Sequence, residues 1–198
     1  NSPSKNDCKD PRVIANLVRE GRYFYTYMPT GVFAELRNAS NRRFVLTEEL
    51  IRTKNRLQKW IAVYFPEYKG IYTHIDAKGG MLVLKTAPTP KEIIKLGVDG
   101  VIQIWKEAKL RGNGHKKAML IVNAASQSIG LTEGLEEARM EIQDLIEDYE
   151  LQMKRLEKVN SLIENLCKQI KYVDKLLEIK GIGIITVAGF IAEVGDIT

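Results

Sequence analysis

The stretch that decides the fold is residues 131–178, which read LTEGLEEARMEIQDLIEDYELQMKRLEKVNSLIENLCKQIKYVDKLLE. Apolar residues recur through it in alternating steps of four and three, from Leu131 to Leu177, and only Gln152 is polar. A heptad repeat sustained this long predicts a coiled coil. One helix cannot bury such a seam by itself. The seam therefore needs a partner helix, either from a second copy of the chain or from a basic helix predicted upstream.

That upstream helix is predicted from about residue 31 to residue 65, between Pro29 and Pro66, with no proline or glycine in its interior. A shorter helix is predicted from Pro11 to about residue 20, followed by a short extended segment at 23–27. Residues 68–85 are predicted to be irregular because of their glycines, and short helices are expected at 90–96, 98–109 and 115–128. The chain is therefore expected to be mainly α.

The charge of the chain is moderate in total and uneven along its length. Thirty lysines and arginines stand against 25 acids, a net charge of +5. Residues 31–65 are basic and residues 133–150 are acidic, so only the first stretch favours contact with phosphates. The two cysteines, Cys8 and Cys167, form no metal-binding or disulfide pattern, which favours a reducing cytoplasm. No apolar run approaches the ~20 residues that span a bilayer, so no membrane contact is expected.

Two acids near the start are the first candidate site. Asp7 and Asp10 lie three residues apart, so they can converge on one side of a helical turn. Converging carboxylates supply the oxygen ligands that Mg²⁺ prefers, and such acids hold the metal ions of phosphoryl-transfer enzymes. The alternative is that Asp10 is a helix N-cap before Pro11 and that Asp7 is solvated.

Two further features are candidates for contact with a nucleic-acid backbone. The turn Gly181-Ile182-Gly183 between two predicted helices is typical of a helix-hairpin-helix motif, which grips phosphates through exposed N–H groups; an ordinary helix turn is the alternative. Bases on the long helix are expected to follow a phosphate backbone, unless they form a merely solvated face. These bases are Arg37, Arg42, Arg43, Lys54, Arg56 and Lys59.

Three segments, in order, resemble one family. Residues 4–15 (SKNDCKDPRVIA) resemble the K-x-D-x-x-D-A-x-x-I-A segment of the DEDD transposases of insertion-sequence family 110, relatives of the Piv invertase. Further similarities to this family are its LR element at residues 36–37, its R-x-K-N-R-L element at 52–57 and its FPE element at 65–67. Residues 177–183 and 192–197 are similar to the opening of its C-terminal domain. Pro11 replaces the usual alanine and Lys180 the usual proline.

The resemblance implies a RuvC-like, RNase H-type nuclease domain with an Asp-Glu-Asp-Asp magnesium site, whose last two acids match Asp7 and Asp10. It also implies a catalytic serine in the C-terminal domain, a structured guide RNA, and dimers or tetramers formed through the coiled coil. Because the chain begins at Asn1 and its other acids would lie upstream, we expect an internal piece of a longer protein.

The expected organisation has four parts. Residues 1–30 form the end of the nuclease domain, 31–130 a helical region with the basic helix, 131–178 the coiled coil, and 179–198 the start of the C-terminal transposase domain. The expected function is transposition: cutting and rejoining DNA of an insertion sequence, with the chain alone inactive. The alternatives are a non-enzymatic coiled-coil interaction protein and a junction-resolving nuclease.

Overall fold

The computed structural model describes residues 10–23 and 28–197, and in these ranges the chain forms helices and no strand. The prediction of a mainly α chain is confirmed, whereas the extended segment at 23–27 falls mostly outside the described residues. In chain order the helices are α1 (Asp10–Arg19), α2 (Gly31–Tyr64), α3 (Tyr68–Ile71), α4 (Lys78–Thr86), α5 (Pro90–Glu107), α6 (His115–Ser126), α7 (Leu135–Cys167), α8 (Val173–Leu177) and α9 (Ile184–Val194).

The two long helices, α2 with 34 residues and α7 with 33, pack against each other in antiparallel directions. At one end Trp60 of α2 donates a hydrogen bond to the carbonyl oxygen of Ala138 in α7, at 2.8 Å. At the other end the Arg43 guanidinium donates to the side-chain oxygen of Asn160, at 2.9 Å. Each helix is roughly 50 Å long at the usual rise per residue, so this pair forms the spine of the molecule.

The heptad seam of α7 is covered within one chain. Of the two partners that the sequence left open, α2 is the one observed, and α9 adds to it near the end of α7. The middle of the seam, at Tyr149, Gln152 and Leu156, is only half-buried. The buried seam positions are Ala138, Ile142, Leu145, Val159, Ile163 and Leu166. The seam therefore offers no free apolar surface along most of its length.

The helix that carries the seam is shorter than predicted. The heptads ran from Leu131 to Leu177, but Leu131 is exposed ahead of α7, and the chain turns at 168–172 before α8. At this turn the N–H of Ile170 donates to the carbonyl of Cys167, and that of Val173 to Ile170. All three side chains are buried in one core. Residues spaced by three stay on one side only when the backbone tightens toward three residues per turn, so core packing ends the α-helix here.

Residues 68–85 are helical for much of their length, contrary to the prediction of an irregular region. The glycines of α4 allow close packing instead of breaking the helix. A side chain on Gly80 would collide with the rings of Tyr68 and Tyr72. The carbonyl of Gly79 accepts a 2.8 Å hydrogen bond from the indole N–H of Trp105 in α5.

The helices enclose two apolar cores. The first joins the second half of α2 and the first half of α7 to α3, α4, α5 and α6. The second joins the first half of α2 and the end of α7 to α8 and α9. The two predicted helices at 90–96 and 98–109 are both present within α5, because the backbone leaves helical geometry at Gly97 (φ 67°, ψ 179°) and the two helical segments meet there at a kink. Residues 68–134 thus form a helical insertion packed on one end of the α2–α7 pair.

Candidate nucleic-acid interface

The acidic pair falls at the edge of the described residues. Asp7 lies outside them, and Asp10 enters only as the first backbone position of α1. Pro11 stands in the first turn of that helix, as predicted. The apolar stripe of α1, which includes Val13 and Ile14, is exposed to solvent. The convergence of the two carboxylates therefore stays a prediction.

Elsewhere the described residues offer no competing metal site. No group of three or more His, Cys, Asp or Glu side chains in residues 11–23 and 28–197 is arranged to hold a metal ion. The acids of α7 do not form one, although Glu137, Glu141, Asp144 and Asp148 line a single groove of about 390 Å³.

Two of the six predicted basic contacts on α2 are used to join helices. The Arg37 Nε donates a 3.0 Å hydrogen bond to the carbonyl of Ala192, and its NH2 group lies 3.5 Å from the carbonyl of Glu193. Both acceptors lie at the end of α9, where the partial negative charge of a helix attracts a cation. Arg43 is held by Asn160 of α7, as described above. Both side chains contribute to packing α2 in the second core.

Lys54 is also engaged within the fold. Its ammonium lies 2.6 Å from the carboxylate of Asp76 and 5.8 Å from the ring centroid of Tyr149. The hydrogen bond with Asp76 raises the pKa of Lys54, and the same bond lowers the pKa of Asp76. The pair ties α2 to the loop before α4, so its charge is neutralised locally.

The other three predicted bases, Arg42, Arg56 and Lys59, have exposed side chains. At roughly 100° per residue, they lie within about 100° of one another around the helix axis. Arg56 also lines the acidic groove of α7, opposite Glu141 and its neighbours. The structure thus divides the predicted basic helix: three of its cations hold the fold together, and three point to solvent on one flank.

Gly181 and Gly183 lie in a turn between α8 and α9, where the sequence predicted a turn between two helices. Gly181 has φ 91°, a backbone conformation that favours glycine, and Gly183 precedes α9 without a side-chain cap. A Cβ on either glycine would meet no atom within 4 Å. The first hydrogen bonds of α9 run from the N–H groups of Thr186 and Val187 to the carbonyl oxygen of Gly183. The start of α9 thus lies at an exposed turn.

Two features escaped the sequence analysis. Glu67 closes the loop after α6: its carboxylate accepts hydrogen bonds from the Ser128 hydroxyl at 2.6 Å and the Ile129 N–H at 3.0 Å. Burial opposes its ionisation, but these bonds outweigh burial and lower the pKa of Glu67. The second feature is a basic cluster at the α5–α6 corner, with five lysines and arginines between 106 and 117. The close spacing of these basic residues in the sequence was the signal that could have revealed the cluster.

No helix in the described ranges is both long and apolar enough to cross a membrane. Comparison with known proteins gives two matches. Residues 1–66 match the model of the DEDD transposases of the IS110 type, described as "Transposase". The chain is also 26% identical over 195 residues to the "Insertion element IS116 uncharacterized 44.8 kDa protein" of Streptomyces clavuligerus, a match that covers 98% of this chain. The chain spans about half (49%) of the length of that curated relative. No solved structure matches the chain.

Proposed function

We propose that this chain is part of a DEDD transposase of the IS110 type, and that the longer protein containing it cuts and rejoins the DNA of an insertion sequence. The observation that carries the proposal is the family match over residues 1–66, which includes both acids of the Asp7-Cys8-Lys9-Asp10 motif. The relative's printed name, an insertion-element protein, supports the same class of activity.

In this proposal Asp7 and Asp10 are half of a magnesium site whose other acids lie outside this chain. A bound Mg²⁺ would supply stabilisation of the charge that develops on phosphate oxygens. The contribution of this chain is the two carboxylates of the Asp7-Cys8-Lys9-Asp10 motif. The proposal rests on the type and spacing of these ligands, together with the family match.

Contact with the nucleic-acid backbone is assigned to Arg42, Arg56 and Lys59 on α2 and to the Gly181–Gly183 turn. The supporting observations are the exposure of the three side chains and the absence of a side-chain cap at the start of α9. Cations and helix N-termini bind phosphates without reading the sequence. Arg37, Arg43 and Lys54 are left out of this assignment because protein groups already bind them.

Two further expectations rest on the family resemblance alone: a structured guide RNA and assembly of two or four copies. The expected cytoplasmic location rests on the two cysteines, which form no disulfide pattern. Assembly through the predicted coiled coil is opposed by the burial of the α7 seam against α2. Copies would have to meet through surfaces other than that seam.

The test uses the full-length protein with its guide RNA and a DNA substrate that carries the element's ends. Asp7→Ala and Asp10→Ala are each expected to reduce the Mg²⁺-dependent joined product by at least about a hundredfold, because a lost ligand costs more than a lost supporting contact. Matched controls are Asp99→Ala and Asp174→Ala, which remove exposed acids far along the chain. Wild-type levels of joining in the Asp7 and Asp10 variants would overturn the proposal.

A second test uses the chain alone. We expect no Mg²⁺-dependent DNA cleavage by purified residues 1–198, since half of the proposed acids are absent. Cleavage that requires Mg²⁺ and is lost with Asp7→Ala would show that two carboxylates suffice, and the four-acid site would then be wrong.

A further inference from the structure

The helical insertion has a net positive charge because it is poor in acids. Residues 68–134 contain ten lysines and arginines and five acids, so their formal charge equals the +5 of the whole chain. Helix α7, on which the insertion packs, is acidic over its first half. The family model matches residues 1–66 and does not reach the insertion.

The charge is concentrated where α5 turns into α6. Lys106, Lys109, Arg111 and Lys116 have exposed side chains, and none of them forms an ion pair with any residue that the structure describes. Glu107 is the single acid between 106 and 117, and it accepts a hydrogen bond from the Gln103 amide. This cluster, residues 106–117, is called the basic corner below.

The backbone of the basic corner is fixed by contacts with the core. Trp105 is buried and bonded to the carbonyl of Gly79, and the Leu110 N–H donates to the carbonyl of Trp105 at 2.9 Å. At the other side of the turn the Lys117 ammonium lies 4.2 Å from the ring centroid of Tyr72. A turn held on both sides presents its charges with little ordering cost on binding.

The composition of the corner favours a nucleic acid over a protein partner. Between 106 and 117 the larger apolar side chain, Leu110, is half-buried, and no large apolar side chain is exposed. A protein interface needs a desolvated apolar or aromatic centre, whereas a phosphodiester backbone needs only cations placed along it.

We propose that the basic corner binds the phosphate backbone of a nucleic-acid duplex, as a contact surface separate from α2 and the Gly181 turn. The inference rests on the proposed function, because transposition supplies the nucleic acid. The corner holds the backbone without reading bases, and the acidic first half of α7 repels the duplex from the adjacent face.

The test compares two triple variants of the whole chain. Lys109→Ala, Arg111→Ala and Lys116→Ala remove three charges from the corner. Lys158→Ala, Lys168→Ala and Lys171→Ala remove three exposed charges near the end of α7 and beyond it. Binding to a labelled DNA duplex, and to an RNA hairpin of equal stem length, is followed by fluorescence anisotropy over a range of salt concentrations.

The corner variant is expected to bind at least about tenfold more weakly at 0.1 M salt. The plot of log affinity against log salt has a negative slope, and this slope should become less steep by about 2 to 3. The control variant should stay within about twofold of wild type by the same reasoning. Loss with DNA only, or with RNA only, identifies which duplex the corner holds.

Three results would overturn the inference: no binding by the wild-type chain, equal binding by the corner variant, or an equal loss in both variants, which would mean that only total charge matters. The outcome is separable from that of the proposed function. If the Asp7 variant abolishes joining while the corner variant binds normally, only the inference about the corner fails. The reverse pattern removes the transposase proposal and leaves a nucleic-acid-binding surface.

Discussion

The indole N–H of Trp60, near the end of α2, donates a 2.8 Å hydrogen bond to the carbonyl oxygen of Ala138, at the start of α7. Both residues are buried, and the Trp60 ring lies 4.9 Å from that of Tyr64. This contact joins the two long helices at the end where the helical insertion begins, and it sets their register.

Truncating this contact should destabilise the whole chain. We expect Trp60→Ala to lower the free energy of unfolding by about 3–5 kcal/mol, because it removes a buried ring and leaves a cavity. Phe44→Ala, on the exposed face of the same helix, should change it by less than about 0.5 kcal/mol. Urea unfolding followed by circular dichroism measures both. Similar costs in the two variants would contradict the assigned register.

The covered seam of α7 makes a prediction about oligomerisation. Ile142→Ala should cost about 2–5 kcal/mol, and any dependence of the melting temperature on protein concentration should be the same in wild type and variant. If copies associated through this seam, association would stabilise the folded state more at higher protein concentration. Leu151→Ala, at an exposed position of α7, is the control. A melting temperature that rises with concentration, and loses that dependence in Ile142→Ala, would restore the intermolecular coiled coil.

Gly70 of α3 and Gly80 of α4 should respond oppositely to replacement by alanine. At Gly80 the new methyl group has no room beside Tyr68 and Tyr72, so Gly80→Ala should destabilise by about 1–3 kcal/mol. At Gly70 nothing lies within 4 Å of an added Cβ, and alanine is a better helix former by ~1 kcal/mol at most. Thermal unfolding of the two variants gives the comparison. Equal effects would mean that α4 does not pack against the tyrosines in this way.

The Lys54–Asp76 pair should make stability depend on pH. The pKa of Asp76 is lowered by its hydrogen bond with Lys54, so its contribution is present above the unfolded-state value and is lost as pH falls through the folded-state value. Asp76→Asn should therefore cost on the order of 0.5–1 kcal/mol at pH 7, because both side chains are about one third exposed.

Urea titrations of wild type and Asp76→Asn at several pH values check this expectation. The difference between the two proteins should narrow below about pH 4, where the unfolded carboxyl is protonated. Asp99→Asn, which alters an exposed acid of α5, should show no such narrowing. A constant difference from pH 7 to the acid limit would exclude the ion pair as its origin.

Substitutions of Arg37 and Arg42 should have different effects, the first on the stability of the fold and the second on binding to a DNA duplex. Arg37→Ala removes the donor to the carbonyl of Ala192 at the end of α9, and it should cost about 1–2 kcal/mol of stability. Arg42→Ala should leave stability within about 0.5 kcal/mol and weaken binding to a DNA duplex. Unfolding curves and anisotropy titrations on both variants are needed. A loss of duplex binding in Arg37→Ala at full stability would reverse these assignments.

Periodicity predicted most of the helices because it reports a local property. The bounds of α2 follow from Pro29, Pro66 and an interior without proline or glycine. The predictions at 168–172 and at Gly79-Gly80 were wrong because they depended on distant partners. At the first place the chain turns so that Cys167, Ile170 and Val173 are buried in a core shared with α2 and α9. At the second, Gly80 packs against Tyr68 and Tyr72, and the Gly79 carbonyl accepts a hydrogen bond from Trp105.

The amino-acid sequence by itself determined that this chain is helical, that one face of α7 must be covered, and that a glycine turn separates α8 from α9. These follow from residue spacing and from backbone preferences, which act over a few neighbours. Only the tertiary structure decided what covers α7 and which bases of α2 stay exposed. Both depend on which side chains meet across more than 100 positions of chain, as Arg43 meets Asn160, and no local spacing encodes that meeting.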